Sequence, residues 1–360
     1  NGNNPGAQTL FEGVGDSLQP LNVSPDRYLP DEFLDRALQF IEENKDQPFF
    51  LYFPSQLPHA ELVSPPEGLE PYVVNGQSIF SESTFAGNPA YPDTVTQPYA
   101  TLAAMISRFD RDVGLLMDKV NALGLDSNTI IIVTSDNGPH VAGGIVDHNQ
   151  LNGAPGLSGR KFDLFEGGIR VPLIAKWQGQ WPSASVIEGR HALWDIAPTL
   201  RELAGVSPQP SDGLSLVSKL QGQGGISHQR LYWETYAYGG QSVRTENGYL
   251  QQEAAMIQDN IKVIRVTEEY TGSYIIAYDL SRGDPIETIE MSIANDLDSC
   301  QWLPDITEQL NQAHQDVEDG ILPPIRAICQ QIGGQGNDII TGMSGDERLI
   351  GRGGDDELKG

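Results

Sequence analysis

The sequence predicts an α/β protein: a mostly parallel sheet flanked by helices, then a small C-terminal antiparallel sheet subdomain and the start of a parallel β-roll. Three observations predict it. Helix-like and strand-like periods alternate from residue 31 to residue 205, as they do where helices cover a parallel sheet. From about residue 227, strand-like stretches follow one another, separated by turn residues. Residues 333 to 360 then repeat with a period of nine. The expected organisation is therefore an α/β domain over 1–226, an α+β subdomain over 227–325, and a repeat segment over 333–360.

Residues 1–28 are rich in Gly, Asn and Pro and read as loop. In "DEFLDRALQFIEEN" (31–44), Phe33, Leu34, Ala37, Leu38, Phe40 and Ile41 share one helical face, and Asp31 and Glu32 suit the positive end of a helix. "PFFLYF" (48–53) reads as a buried strand, followed by a long loop rich in Pro and Ser. Tyr99, Leu102, Ile106, Phe109, Val113, Leu116, Val120 and Leu123 recur at steps of three and four, which predicts a long amphipathic helix stopped by Gly124. The strand formers of Thr129–Val133 come next, then a Gly-rich loop, then "IRVPLIAKW" (169–177) as another strand. "WDIAPTLRELAG" (194–205) reads as a helix capped by Asp195 and closed by Gly205. "RLYWETYAY", "SVRTENGYL", "NIKVIRVTEEY" and "SYIIAYDL" are the strands expected of the antiparallel sheet, with a helix near Ile306–Val317 after them.

Composition excludes several classes of function. Acidic residues outnumber basic ones 49 to 22, giving a net charge of −27 and a pI near 4.4, so the surface repels nucleic acid and anionic membranes. No apolar run is long enough to span a bilayer, and the opening "NGNNPGAQ" has neither an initiator Met nor a signal peptide. The natural chain is expected to begin upstream. Cys300 and Cys329 form neither a zinc motif nor a disulfide scaffold.

The closing segment divides into "GGQGNDIIT", "GMSGDERLI" and "GRGGDDELK", close to the G-G-x-G-x-D-x-U-x unit of calcium-binding β-rolls. Asp338 and Asp355 are the candidate repeat Ca²⁺ ligands, with Ile340, Leu349 and Leu358 at the inward position of each unit. The second unit departs from the pattern at Met343 and Glu347, and the array is expected to continue beyond Gly360.

The stretch "TIIIVTSDNGPH" (129–140) raises the functional question. Its polar end is either a plain Asn-Gly turn or, if the strand belongs to an α/β sheet, a pair of hard oxygen ligands at the strand's carboxyl end. Four stretches in order, "PFFLYFPSQLPHAEL", "NTIIIVTSDNGPH", "GLSGRKFDLFEGGIRVPLIAKW" and "LWDIAPTLRELAG", resemble the arylsulfatase A-like sulfatases of the alkaline phosphatase superfamily over roughly residues 30–290. The resemblance implies an alkaline phosphatase-like fold and hydrolysis of sulfuric esters. It implies that Asp136 and Asn137 are two of four ligands of an active-site Ca²⁺. By the same resemblance Lys161 contacts a sulfate oxygen and His59 serves the leaving-group oxygen. These residue types suit the chemistry: a cation and an ammonium stabilise charge that builds as the S–O bond breaks, and an imidazole can donate a proton. Glu166, Gly167 and Gly168 are assigned a structural role. His140 and His148, in the loop after Asn137, are further candidates for substrate contact.

The family's nucleophile is a formylglycine made from the Cys or Ser of a C-x-P-S-R or S-x-P-S-R motif. Neither motif occurs in the 360 residues, nor do the paired aspartates that complete the calcium site. The sequence resembles a sulfatase without its N-terminal portion, and this chain alone is expected to be inactive. Implied partners are a sulfate ester, aryl or carbohydrate, a formylglycine-generating enzyme and, from the repeats, a type I secretion system, with an extracellular location. Two other functions compete: a phosphodiesterase or phosphonate hydrolase of the same superfamily, and a non-catalytic calcium-binding extracellular protein that binds glycans.

Overall fold

A computed structural model describes residues 10–14, 17–21, 23–24, 27–59, 61–86, 94–140, 146, 151–162, 164–228, 231–236, 250–256, 261–268, 272–279, 330–332, 339–341, 348–350 and 357–359. These fall into two compact units. The first is Asn1–Thr134, His140–Gly153 and Pro172–Ser183; the second is Ser135–Pro139, Ala154–Val171 and Ala184–Gly360.

In the first unit, β1 (Leu10–Val14) and β2 (Ser17–Leu21) pair antiparallel, in a region read from sequence as loop. Gly13 allows the close approach, since a Cβ there would lie 2.0 Å from the Ser17 carbonyl oxygen. Helix α1 (Leu29–Glu43) follows the expected pattern, with Leu34, Ala37 and Ile41 buried. Burying Leu34 and Ile41 contributes roughly 1.5–3 kcal/mol each. A short helix α2 (Pro66–Leu69) and a hairpin of β3 (Val73–Val74) and β4 (Gln77–Ser78) interrupt the long loop. Asn75 and Gly76, both at positive φ (52° and 76°), form its turn.

Helix α3 (Pro98–Ala122) is the long helix of the periodic pattern and packs against α1. Its first N–H groups are satisfied from a distance: the Glu82 carboxylate accepts from Tyr99 N (2.9 Å) and Ala100 N (2.8 Å). Arg108 and Arg111 of α3 both reach Asp31 of α1. Tyr99 and Met105 join Leu57, Leu62 and Val146 in the unit's buried core.

Strand β5 (Ile130–Thr134) forms where the apolar run lies and pairs with β6 (Leu173–Trp177) from Ile130↔Trp177 to Thr134↔Leu173. The pairing is antiparallel, whereas the sequence suggested parallel neighbours; α/β sheets commonly carry such an antiparallel edge. The stretch 48–53 belongs to no ladder among the described residues, and Phe50 and Tyr52 are exposed. Apolar strand formers set a preference for extended backbone, but a strand also needs a partner of matching register.

In the second unit, α4 (Glu166–Ile169) is a single helical turn where the expected 169–177 strand was to begin. A 3-10 turn at Leu193–Asp195 leads into α5 (Ile196–Leu203), and α6 (Val217–Leu220) follows. The Asp195 side chain does not cap α5 as expected; it bonds elsewhere, as described below. An antiparallel sheet is present, as expected: β7 (Leu231–Tyr236), β8 (Leu250–Met256), β9 (Ile261–Glu268) and β10 (Gly272–Asp279), in the order β10-β9-β8-β7. β7, β9 and β10 lie where strands were expected, but β8 follows the expected stretch 242–250, meeting it only at Leu250, and 242–249 lie outside the described residues. The helix expected at 306–317, Cys300 and Cys329 lie outside the described residues.

Four short strands close the chain: β11 (Gln330–Ile332), β12 (Ile339–Thr341), β13 (Arg348–Ile350) and β14 (Glu357–Lys359). They begin nine residues apart, and they pair in parallel with the strand after next. Gln330 aligns with Arg348 and Ile340 with Leu358, an offset of two nine-residue units.

Candidate active site

The short linker after β5 is where the candidate ligands lie. Ser135, Asp136, Asn137 and Gly138 leave the strand as a tight turn, with Ser135 Oγ donating to the Asn137 carbonyl (2.9 Å). The Asn137 Nδ2 group donates to the Gly138 carbonyl (2.9 Å), which fixes the amide's orientation and leaves its oxygen as the atom suited to a cation. The Asp136 side chain is exposed and Asn137 is half-buried.

A second and a third segment lock onto this turn through backbone bonds. The Gly138 N–H donates to Gly168 O (2.8 Å), the Lys161 N–H to Pro139 O (2.9 Å), and the Gly167 N–H to Ser158 O (2.6 Å). Glycine is required here for space. A Cβ at Gly138 would lie 1.7 Å from the Gly167 carbonyl oxygen, and one at Gly167 would lie 2.3 Å from that of Gly159. The Asp-Asn turn, the Lys161 segment and the Glu-Gly-Gly turn are thereby held as one body.

Lys161 is half-buried, and its ammonium lies 5.5 Å from the centre of the Phe162 ring. Phe162 has φ of 81°, a left-handed conformation that a bulky residue seldom adopts. Such strain is characteristically held at ligand-binding segments. Beneath the Glu-Gly-Gly turn, Glu166 is buried and its Oε1 accepts from Lys262 Nζ (2.7 Å), while Arg170 lies 3.7 Å from Oε2. Lys262, from β9, is itself 1% exposed, and burial lowers its pKa against the opposing pull of Glu166. Sequence reading missed Lys262 because it is one of several charged residues of β9, with Arg265 and Glu268, and no motif sets it apart from a lysine on a solvated face.

The structure thus brings Asp136, Asn137 and Lys161 together in the second unit. His59 lies in the first unit, exposed, after the Leu57-Pro58 peptide. His140 begins a segment of the first unit; His148, Asp338 and Asp355 lie outside the described residues. Among the described residues no group of three or more His, Cys, Asp or Glu side chains is placed to hold a metal. Asp136 and Asn137 are hard oxygen donors that fit part of a Ca²⁺ or Mg²⁺ shell. The groove lined by Met117, Asp118, Val120, Thr129, Ile131 and Lys176 belongs to the first unit and includes none of these residues.

A separate polar cluster lies around Asp195, whose side chain is fully buried. Its carboxylate accepts from Ala192 N (2.9 Å), Leu214 N (2.8 Å) and, across 2.7 Å, faces His228 Nε2. It ties the loops on either side of α5 together.

A sequence model of the sulfatase family matches residues 4–206, more than half of the chain. The chain belongs to the sulfatase family. It is 29% identical over 190 residues to an N-acetylgalactosamine-6-O-sulfatase of Bacteroides thetaiotaomicron, covering 51% of this chain and 32% of the relative. It is 30% identical over 238 residues to arylsulfatase G of Mus musculus, covering 63% of this chain and 40% of the relative. The chain thus spans about a third to two fifths of the length of these curated relatives. A solved structure in complex with its substrate, D-glucosamine-2-N,6-O-disulfate, superposes with a TM-score of 0.59 at 18% identity, covering 84% of this chain and 71% of that one. The chain accordingly has the alkaline phosphatase-like α/β fold.

Proposed function

We propose that this chain carries the sulfate-binding and metal-binding side of a sulfuric ester hydrolase site acting on aryl or carbohydrate sulfates. The observation that supports the reading is the backbone clamp that joins the Asp136-Asn137 turn to the Lys161 segment. Lys161 binds and orients the sulfate, and Asp136 and Asn137 hold the cation. His59 is assigned to the leaving-group oxygen, which it would protonate as the ester bond breaks. A bound Ca²⁺ would supply charge stabilisation at the sulfate oxygens. Membership of the sulfatase family, and sulfatases among its relatives, favour sulfate over phosphate esters.

The nucleophile is proposed to be a formylglycine outside residues 1–360, because neither form of its motif occurs within them. The test is release of chromophore from an aryl sulfate. Residues 1–360 alone are expected to show none above the uncatalysed rate. A protein extended with its upstream coding sequence and co-expressed with a formylglycine-generating enzyme is expected to be active. In that protein Lys161→Ala lowers kcat/KM by about 10²–10³-fold, the usual cost of removing one charge-stabilising group. Metal-dependent turnover by the short chain, abolished by Lys161→Ala, would refute the assignment of the nucleophile.

We also propose that the closing segment is a calcium-dependent repeat with Asp338 and Asp355 as ligands, in an extracellular protein exported by type I secretion; the strands bear on the repeat alone. Their nine-residue spacing and parallel pairing two units apart are what a β-roll of nonapeptides requires. Binding free energy then becomes folding free energy for this segment. Circular dichroism of the chain should gain β signal on going from EGTA to millimolar Ca²⁺, and deleting residues 333–360 should remove the gain. Identical spectra in the two conditions count against the repeat.

A further inference from the structure

The clamp described above explains how Asp136, Asn137 and Lys161 are held to one another, but the Glu-Gly-Gly turn that closes it is only four residues long and has no side-chain cap. What fixes that turn comes from far along the chain. Lys262 lies on β9, between β10 and β8, and its side chain shares the buried side of the strand with Ile264. Its ammonium reaches Glu166 Oε1 at 2.7 Å, with the two side chains 1% and 5% exposed. A buried charge pair is a poor source of stability, since desolvation offsets most of the attraction, but it holds its partners to one geometry because each is costly to leave alone. Glu166 is joined to the site by two short links: Gly167 N–H to Ser158 O, three residues before Lys161, and Gly168 O to the Gly138 N–H, beside Asn137.

We propose that Glu166 and Lys262 form a positioning pair through which the C-terminal antiparallel sheet sets the backbone carrying Asp136, Asn137 and Lys161. The pair touches neither substrate nor metal; it determines where their ligands stand. The consequence for sulfate binding rests on the reading of Lys161 given above. A change on β9, in a different sheet, should therefore be felt at the sulfate site.

The test uses the whole chain, unmodified and as two variants: Lys262→Met, and Lys262→Met combined with Glu166→Gln. The double variant leaves no unpaired buried charge, so it stays folded where the single change does not. Amide exchange followed by NMR is read at Gly138, Lys161 and Gly167, with the amides of α3 as the control. Affinity for inorganic sulfate is read by calorimetry, with Lys161→Ala as reference. In the double variant the Gly138 and Lys161 amides are expected to exchange about ten-fold faster or more while α3 is unchanged. Sulfate affinity is expected to fall about ten-fold, as when an outer partner of a binding ligand is removed. Unchanged exchange at the three amides, or an equal rise at every amide including those of α3, would overturn the positioning role. If the unmodified chain does not bind sulfate, or binds it equally well as Lys161→Ala, the sulfate assignment fails, while the exchange rates still decide whether the pair positions the turn.

Discussion

Replacing Gly138 by alanine is expected to destabilise the second unit by about 3 kcal/mol, the upper end of the range for overpacking, and to abolish binding of cation and sulfate at the candidate site. The reason is space. The added methyl would stand 1.7 Å from the Gly167 carbonyl oxygen, which is backbone and cannot rotate away as a flexible side chain does. To admit it, the turn at 135–139 must separate from the turn at 166–168, and the bond from Gly138 N–H to Gly168 O is lost. The first turn carries Asp136 and Asn137, and the second is tied to the segment before Lys161 by the bond from Gly167 N–H to Ser158 O, so binding should fail even in solutions where the fold survives. Urea unfolding gives the first quantity and calorimetry with Ca²⁺ and sulfate the second. An alanine variant with the wild-type unfolding midpoint and wild-type binding would show that the two turns are not held as described.

The largest loss of stability is expected at Asp195. Asp195→Ala removes, in one change, the acceptor for two backbone N–H groups and for His228, all at a side chain with no exposure. Unsatisfied buried donors cost about 1–3 kcal/mol each, and breaking a buried charged network about 3–5 kcal/mol in all. Asp195→Asn should cost less, about 1–3 kcal/mol, because an amide retains one acceptor. With its oxygen kept toward Leu214 and His228, its NH₂ group would face the Ala192 N–H, donor against donor. The order wild type, Asn, Ala in urea midpoint is the expected outcome. An alanine variant within about 1 kcal/mol of wild type would mean that water replaces the carboxylate, and the network would then carry no stability.

Neither residue declares its role in the sequence. Gly138 follows Asn137 as it would in any surface turn, and Asp195 precedes a helical pattern as an ordinary N-cap would. Their importance comes from groups distant in sequence, Gly167 in one case and Leu214 and His228 in the other. The same holds for Glu82, which serves the N-terminus of α3 from another segment, and for Lys262, whose partner is Glu166.

By itself the sequence determined what depends on local period and composition: the extents of α1 and α3, the apolar run of β5, the strands β7, β9 and β10 of the C-terminal sheet though not β8, and the nine-residue rhythm of the closing strands. Its motifs also carried the family, and with it the identity of Asp136, Asn137, Lys161 and His59 as candidates. Only the tertiary structure decided that β5 and β6 run antiparallel, that 48–53 stays outside any ladder while 10–21 forms a hairpin, and that three turns close on one another around Gly138. The physical reason is the same in each case. A side-chain period reports which face of an element is apolar, a property of one segment. Strand direction, close backbone approach and buried charge pairing are relations between segments, and their energies exist only once the chain has brought the partners together.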